Sequence, residues 1–350
     1  MQESHLPFLR CPVSRTSLQL HIISKTKSPF GSAAGEIISE GILFAAADWF
    51  FPVIGGIPRL TVEAFHDYAD FFRLYLPDYL PRRQQLEQKY PGLIAYVKRK
   101  NRKTRKTFSR EWSLFNYQED RTWEATREEM LNVFLKETDE SADSLKGKMI
   151  FDAGCGNGLL DQLIAGKGAI TVAMDLSNSI ERAYQQNTQP GVFFIQGDVQ
   201  FPPLDFCLFD IVHSSGVLHH TNNSELSFSC LEPCARSGGK LSVWLYHPRK
   251  NFLHNLFNRI RSITSKLPSG LQYFLLRSTF LPISYVIKRL KGNRQNKREM
   301  MIALLDWFSP EFRREHTPDE AAGWFAKRGY TSVKVTTTGL FGFSIIGRKG

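Results

Sequence analysis

Met149–Leu160 reads MIFDAGCGNGLL: an apolar run suited to a buried strand, Asp152 near its end, glycines at 154, 156 and 158, then the opening of a helix. Glycine here permits positive φ and close backbone approach to a ligand, and the helix N-terminus beyond it offers free N–H groups. Many nucleotide enzymes share a glycine-rich turn, so the details decide. The spacing is G-x-G-x-G, whereas dinucleotide sites carry G-x-G-x-x-G. Asp152 precedes the turn on the strand itself, where a carboxylate repels a pyrophosphate and suits an ammonium group. The predicted ligand is a nucleoside with a cationic tail.

Working outward, strand, turn and helix alternate from Lys148 to Tyr246, as a parallel sheet requires. Ala169–Asp175 is a second strand ending in an acid placed to hold both ribose hydroxyls. Val192–Asp198 is a third, with Asp198 just beyond it to take an adenine amino hydrogen. Phe209–His220 gives a fourth, turning into Val217-Leu218-His219-His220, and His247 follows the fifth. Near the C-terminus, Thr317-Pro318-Asp319-Glu320 predicts a capping box opening a helix to Arg328. Two strands, Ser332–Thr338 and Phe341–Gly347, then close the chain.

These motifs, in this order, resemble the class I S-adenosylmethionine-dependent methyltransferases. The resemblance implies an α/β, Rossmann-like seven-stranded sheet of order 3-2-1-4-5-7-6 with strand 7 antiparallel, a small β-rich N-terminal module and helical additions. It implies S-adenosyl-L-methionine as cofactor. Gly154, Cys155, Gly156 and Gly158, with Asp152, would lie against its amino-acid end. Asp175 and Leu176 would hold the ribose, Asp198 and Val199 the adenine, and Ser214 and Ser215 would line the methyl-transfer site. Upstream, Phe108–Phe115 (FSREWSLF) resembles a stretch covering the cofactor's carboxylate end in the same relatives, which points to Arg110 and Trp112 as pocket residues. Trp112 and Phe115 equally suit core contacts one helical turn apart.

Methyl transfer is an in-line displacement that draws much of its rate from positioning, and it needs a base only for a poorly ionised acceptor. His219, His220, His247 and Tyr246 are the candidate bases, the two adjacent histidines equally suited to a wall or helix-entry role. Asn/Asp-Pro-Pro-aromatic, common after strand 4 in enzymes that methylate base amines, is absent; the position reads His213-Ser214-Ser215-Gly216. Pro233-Cys234 precedes strand 5, away from where a ring-carbon nucleophile belongs. The acceptor expected is therefore a small or lipid-linked metabolite, methylated at oxygen or nitrogen. The alternatives are an RNA-modifying enzyme and an inactive cofactor-binding regulator.

Residues 1–62 alternate short apolar runs with Gly, Pro and Ser, as a small β-rich module does. Leu9-Arg10-Cys11-Pro12-Val13-Ser14 and Phe51–Leu60 resemble a zinc-ribbon-like domain found before some bacterial methyltransferases. Ser14 stands where zinc-binding relatives have a second cysteine, and no further cysteine occurs before Cys155, so no metal is expected. Residues 63–144 read as a helical linker and cap, leaving 145–350 for the methyltransferase domain.

The net charge of +11 is unevenly placed. Residues 249–300 hold twelve basic residues and one acid, and Lys98–Arg110 eight basic residues and none; the remainder is net −8. Such runs can be plain solvated helix faces. In 249–300, however, Phe252, Leu256, Phe257 and Ile260 fall on one helical face, which suits a cationic amphipathic insert. It would cover an apolar substrate or rest on an anionic membrane, with nucleic acid less favoured. Gly41–Ile57 and Leu271–Ile287, the longest apolar stretches, are broken by Asp48 and Arg277, so no spanning helix is expected. With no secretory pattern and an odd cysteine count, the expected location is the cytoplasm, peripheral to the inner face of the membrane.

Overall fold

The computed structural model describes residues 1–28, 30, 35–46, 48–122, 125–249, 252–293 and 295–350, the side chain of residue 253 excepted. The first 62 residues hold a four-stranded antiparallel sheet: β1 (Leu18–Lys27), β2 (Glu36–Ala45), β3 (Phe50–Ile54) and β4 (Ile57–Pro58). Gly55 and Gly56, both at positive φ, make the two-residue turn between β3 and β4. Beyond β4, Arg59 bridges Gln196 and the Leu60 N–H donates to the Gln196 carbonyl at 2.8 Å. The module thereby caps the exposed edge of the main sheet, a site otherwise open to unwanted pairing. Cys11 is a buried free thiol.

Five helices follow: α1 (Ala64–Asp67), α2 (Ala69–Tyr75), α3 (Tyr79–Lys89), α4 (Pro91–Ser113) and α5 (Arg127–Thr138). Helix α4 starts with Pro at its first position, where the missing N–H costs nothing. Its inward stripe runs Ile94, Val97, Asn101, Thr104, Phe108 and Glu111, alternating steps of three and four. The stripe is apolar where it packs on the core and turns polar where it crosses the ligand cleft.

The main sheet comprises β5 (Met149–Ala153), β6 (Ile170–Asp175), β7 (Val192–Gln196), β8 (Phe209–Ser215), β9 (Ala235–Tyr246), β10 (Tyr330–Thr338) and β11 (Gly342–Lys349). Its order is β10-β11-β9-β8-β5-β6-β7, with β11 antiparallel to both neighbours and the other pairings parallel. This is the 3-2-1-4-5-7-6 order implied by the resemblance. Helices α6 (Leu159–Ala165), α7 (Ser179–Gln185) and α8 (Ser224–Leu231) make crossovers between parallel strands. One apolar cluster joins Leu9, Phe50 and Phe65 to Phe151, Val212 and Phe343, so the core is unbroken at residue 62.

Between β9 and β10 lie α9 (Phe252–Thr264), α10 (Ser269–Leu275), a π-turn (Leu276–Phe280), α11 (Leu281–Leu290), α12 (Lys297–Phe308) and α13 (Pro318–Ala326). Leu276, Met301, Leu304, Leu305 and Phe308 bind the insert internally. It runs past residue 300, because α12 continues to Phe308 after the basic run ends. Thr317 caps α13, its hydroxyl accepting from the Glu320 N–H. Glu320 does not complete the expected capping box; its carboxylate instead meets His316 Nδ1 at 2.8 Å. No described helix is long and apolar enough to cross a membrane.

Candidate active site

The carboxyl ends of β5, β6 and β8 open into a cavity of about 820 Å³ roofed by α4, the insert and α12. Its floor is the glycine turn. Gly154 (φ 106°) and Gly156 (φ 55°) adopt backbone that L side chains avoid, and there is no room for one. A Cβ on Gly154 would lie 2.2 Å from the Val217 side chain, and on Gly156 2.9 Å from the Trp112 indole. The result is a bare peptide platform with Trp112 of α4 above it.

Asp175, at the end of β6, accepts the Gly156 N–H on Oδ2 at 3.0 Å and the Ser177 N–H on Oδ1 at 2.7 Å. Burial pushes its carboxyl up and these hydrogen bonds pull it back, leaving a net upward shift. Asp198, just beyond β7, is already engaged. Lys100 and Asn101 of α4 donate to Oδ2, and the Gln200 N–H reaches Oδ1 at 2.9 Å. Thus Lys100, in a basic run that could have been a plain solvated face, is instead a buried partner of Asp198.

Of the predicted residues, Trp112, Gly154, Gly156, Asp175, Leu176, Asp198, Val199, Ser215 and His220 line this cavity. The others lie elsewhere. Asp152 meets His213 Nδ1 at 3.0 Å, and His213 Nε2 meets Glu137 at 2.8 Å, a buried ladder beneath the sheet ends. Ser214 donates to the Ala153 carbonyl and Cys155 is buried. Gly158 opens α6 at φ 69°. Arg110 donates to the Ser269 carbonyl and sits over the Tyr273 ring, tying α4 to the insert. His219 is fully buried against Tyr246 and Trp244. Burial holds it well below the usual histidine range, reinforced by His220 and Arg313. His247 bonds the carbonyls of Pro248 and Gly339 on the surface.

Beyond the glycine turn the walls become aromatic. Trp244 and Tyr246 come from β9, Trp307 and Phe308 from α12, and Phe341 from the turn before β11, with Phe257 and Phe280 in the insert. His220 sits at this end. The Phe312 carbonyl, which can only accept, lies 3.0 Å from His220 Nδ1, so that nitrogen carries a proton and donates to it. Asp306 Oδ1 lies 3.5 Å from Nε2, and its Oδ2 accepts from the Tyr246 hydroxyl at 2.7 Å. Sequence reading missed Glu111, Glu137 and Asp306 as cavity residues, whereas Tyr246, a candidate base by sequence, does line the cavity. The alternating three-and-four spacing through Asn101, Thr104, Phe108 and Glu111 was the available signal.

The features suit an adenosylated sulfonium: a platform without side chains, a strand-end carboxylate and a long apolar extension. Residues 151–243 match a family profile described as a methyltransferase domain. The ubiquinone biosynthesis O-methyltransferase of Coxiella burnetii is 30% identical over 105 residues, 29% of this chain and 45% of that protein. The tRNA U34 carboxymethyltransferase of Ruthia magnifica is 26% identical over 180 residues, 49% of this chain and 52% of that one. The chain thus spans about half the length of these curated relatives. Among solved structures, magnesium protoporphyrin IX methyltransferase from Synechocystis PCC 6803 superposes with TM-score 0.42 at 16% identity, covering 71% of this chain and 98% of that one. Strand order, glycine turn and profile coincide on the same stretch, and residues 151–243 of this chain carry the methyltransferase domain that the profile describes.

Proposed function

We propose that this chain methylates oxygen or nitrogen of a small apolar or lipid-linked acceptor. What carries the reading is the continuity of the cavity: it passes from the glycine turn and Asp175, without a break, into walls of Trp244, Tyr246, Trp307 and Phe308. When bound, S-adenosylmethionine supplies the electrophilic methyl group. Asp175 orients the ribose, the glycine platform admits the chain beyond it, and the roof excludes water. His220 Nε2 lies at the acceptor end with Asp306 Oδ1 3.5 Å away, and is the group placed to take a proton from the acceptor. Tyr246 fixes Asp306 by its hydrogen bond.

The outer face of the insert supports a surface role. Phe274, Ile283, Val286 and Leu290 are exposed, interspersed with exposed Arg277, Arg289 and Lys291. Phe257 of α9 is both partly exposed and part of the cavity wall, and an apolar acceptor would enter past it from an anionic lipid surface. An RNA acceptor is the second reading, prompted by the tRNA-modifying relative. Several basic residues it would need are spent internally: Lys100 on Asp198, Arg105 on Asp67 and Arg298 on Glu119 and Asp120.

Calorimetry with S-adenosylhomocysteine tests the cofactor site. Wild type is expected to bind, and Asp175→Ala to weaken binding by ~1–3 kcal/mol through loss of ribose bonds. Unchanged affinity in the variant would remove Asp175 from the site.

A further inference from the structure

We propose that Glu111 of α4 is the receptor for the positive charge of the cofactor's methionine end, its ammonium or sulfonium group, a role Asp152 does not fill. The inference rests on the cofactor reading above. Five carboxylates line the cavity: Glu111, Glu137, Asp175, Asp198 and Asp306. Four already have donors. Glu137 is met by His213 and Ser344, Asp175 by Gly156 and Ser177, Asp198 by Lys100 and Asn101, and Asp306 by Tyr246. Glu111 is 0% exposed, and neither of its carboxylate oxygens accepts a hydrogen bond from any described residue.

Leaving a buried carboxyl without donors is costly, and a site keeps one when a ligand brings the missing donor. Location indicates what that donor is. Glu111 lines the same cavity as Asp175 and Asp306 and feels the charge of both, which sets it between the ribose acid and the aromatic end. Burial, then the negative charges of Asp306 and Asp175, push its carboxyl well above the usual range. All three influences disfavour another anion and are relieved by a cation. Asp152, the acid to which sequence position assigns the ammonium, is turned into the His213 ladder and does not line the cavity.

The test compares wild type with Glu111→Gln by calorimetry, using three probes that share the adenosine end. S-adenosylmethionine carries both positive charges, S-adenosylhomocysteine only the ammonium, and 5′-methylthioadenosine neither. The variant is expected to lose about ten- to hundredfold in affinity for charged probes, with 5′-methylthioadenosine changing less than about twofold. Loss for both charged probes identifies the ammonium as the partner; loss for S-adenosylmethionine alone identifies the sulfonium. Retained 5′-methylthioadenosine binding also shows that the variant keeps its site. Equal loss for all three, or no loss for any, overturns the proposal. If wild type binds none of them, the cofactor reading itself fails and takes this one with it.

Discussion

His213 is held between two carboxylates, Asp152 and Glu137, with all three side chains buried. Burial alone would strip its proton. The paired hydrogen bonds and negative charges outweigh that and push its pKa up to about 10. A histidine raised in this way contributes stability that is complete below its unfolded value of about 6.5 and disappears as pH rises through about 10. The melting temperature is therefore expected to fall from pH 6.5 to 10, and to fall less in His213→Gln, which has no proton to lose; equal slopes would contradict the ion-pair reading. His213→Ala, which strands two buried acids, is expected to cost ~3–5 kcal/mol. This ladder also shows where a sequence stops being informative at the residue scale. Gly154, Gly156 and Asp175 were legible because strand end and backbone conformation dictate their positions. Asp152 was not, since its partner lies 61 residues away on β8.

At the scale of elements, α4 and the insert do the work that the methyltransferase motifs do not describe. For Lys98–Arg110 the sequence left a plain solvated face open, because the run is dominated by Lys and Arg and the tertiary partners Asp198 and Asp67 were invisible. The amphipathic character of the insert was legible, but its reach to Phe308 was not, since charge composition marks only where the basic run ends. If the outer face of α10 and α11 meets lipid, wild type is expected to float with anionic vesicles and to do so less with neutral ones. Ile283→Glu combined with Leu290→Glu is expected to cut that partitioning about tenfold or more while leaving S-adenosylhomocysteine affinity intact. Both side chains are exposed, at 61% and 84%, so folding is little affected. Vesicle binding unaltered by the pair would confine the insert to covering the substrate.

At the scale of the whole molecule, the N-terminal sheet, the helical cap and the main sheet share one apolar cluster, and the cleft is walled by pieces drawn from residues 100 to 341. The alternation of strand, turn and helix was legible from the residues, and the strand order followed from the family resemblance that the motifs carry. The roof was not legible, since it is assembled from contacts between distant segments. That same assembly places Trp112, Trp244 and Trp307, half of the six tryptophans, on the cavity wall, one of them resting on the glycine turn. Occupancy is consequently written into the protein's own light emission: filling the cleft is expected to change tryptophan fluorescence, and Trp112→Phe to remove much of the response. The chain needs no attached dye to report when its site is full.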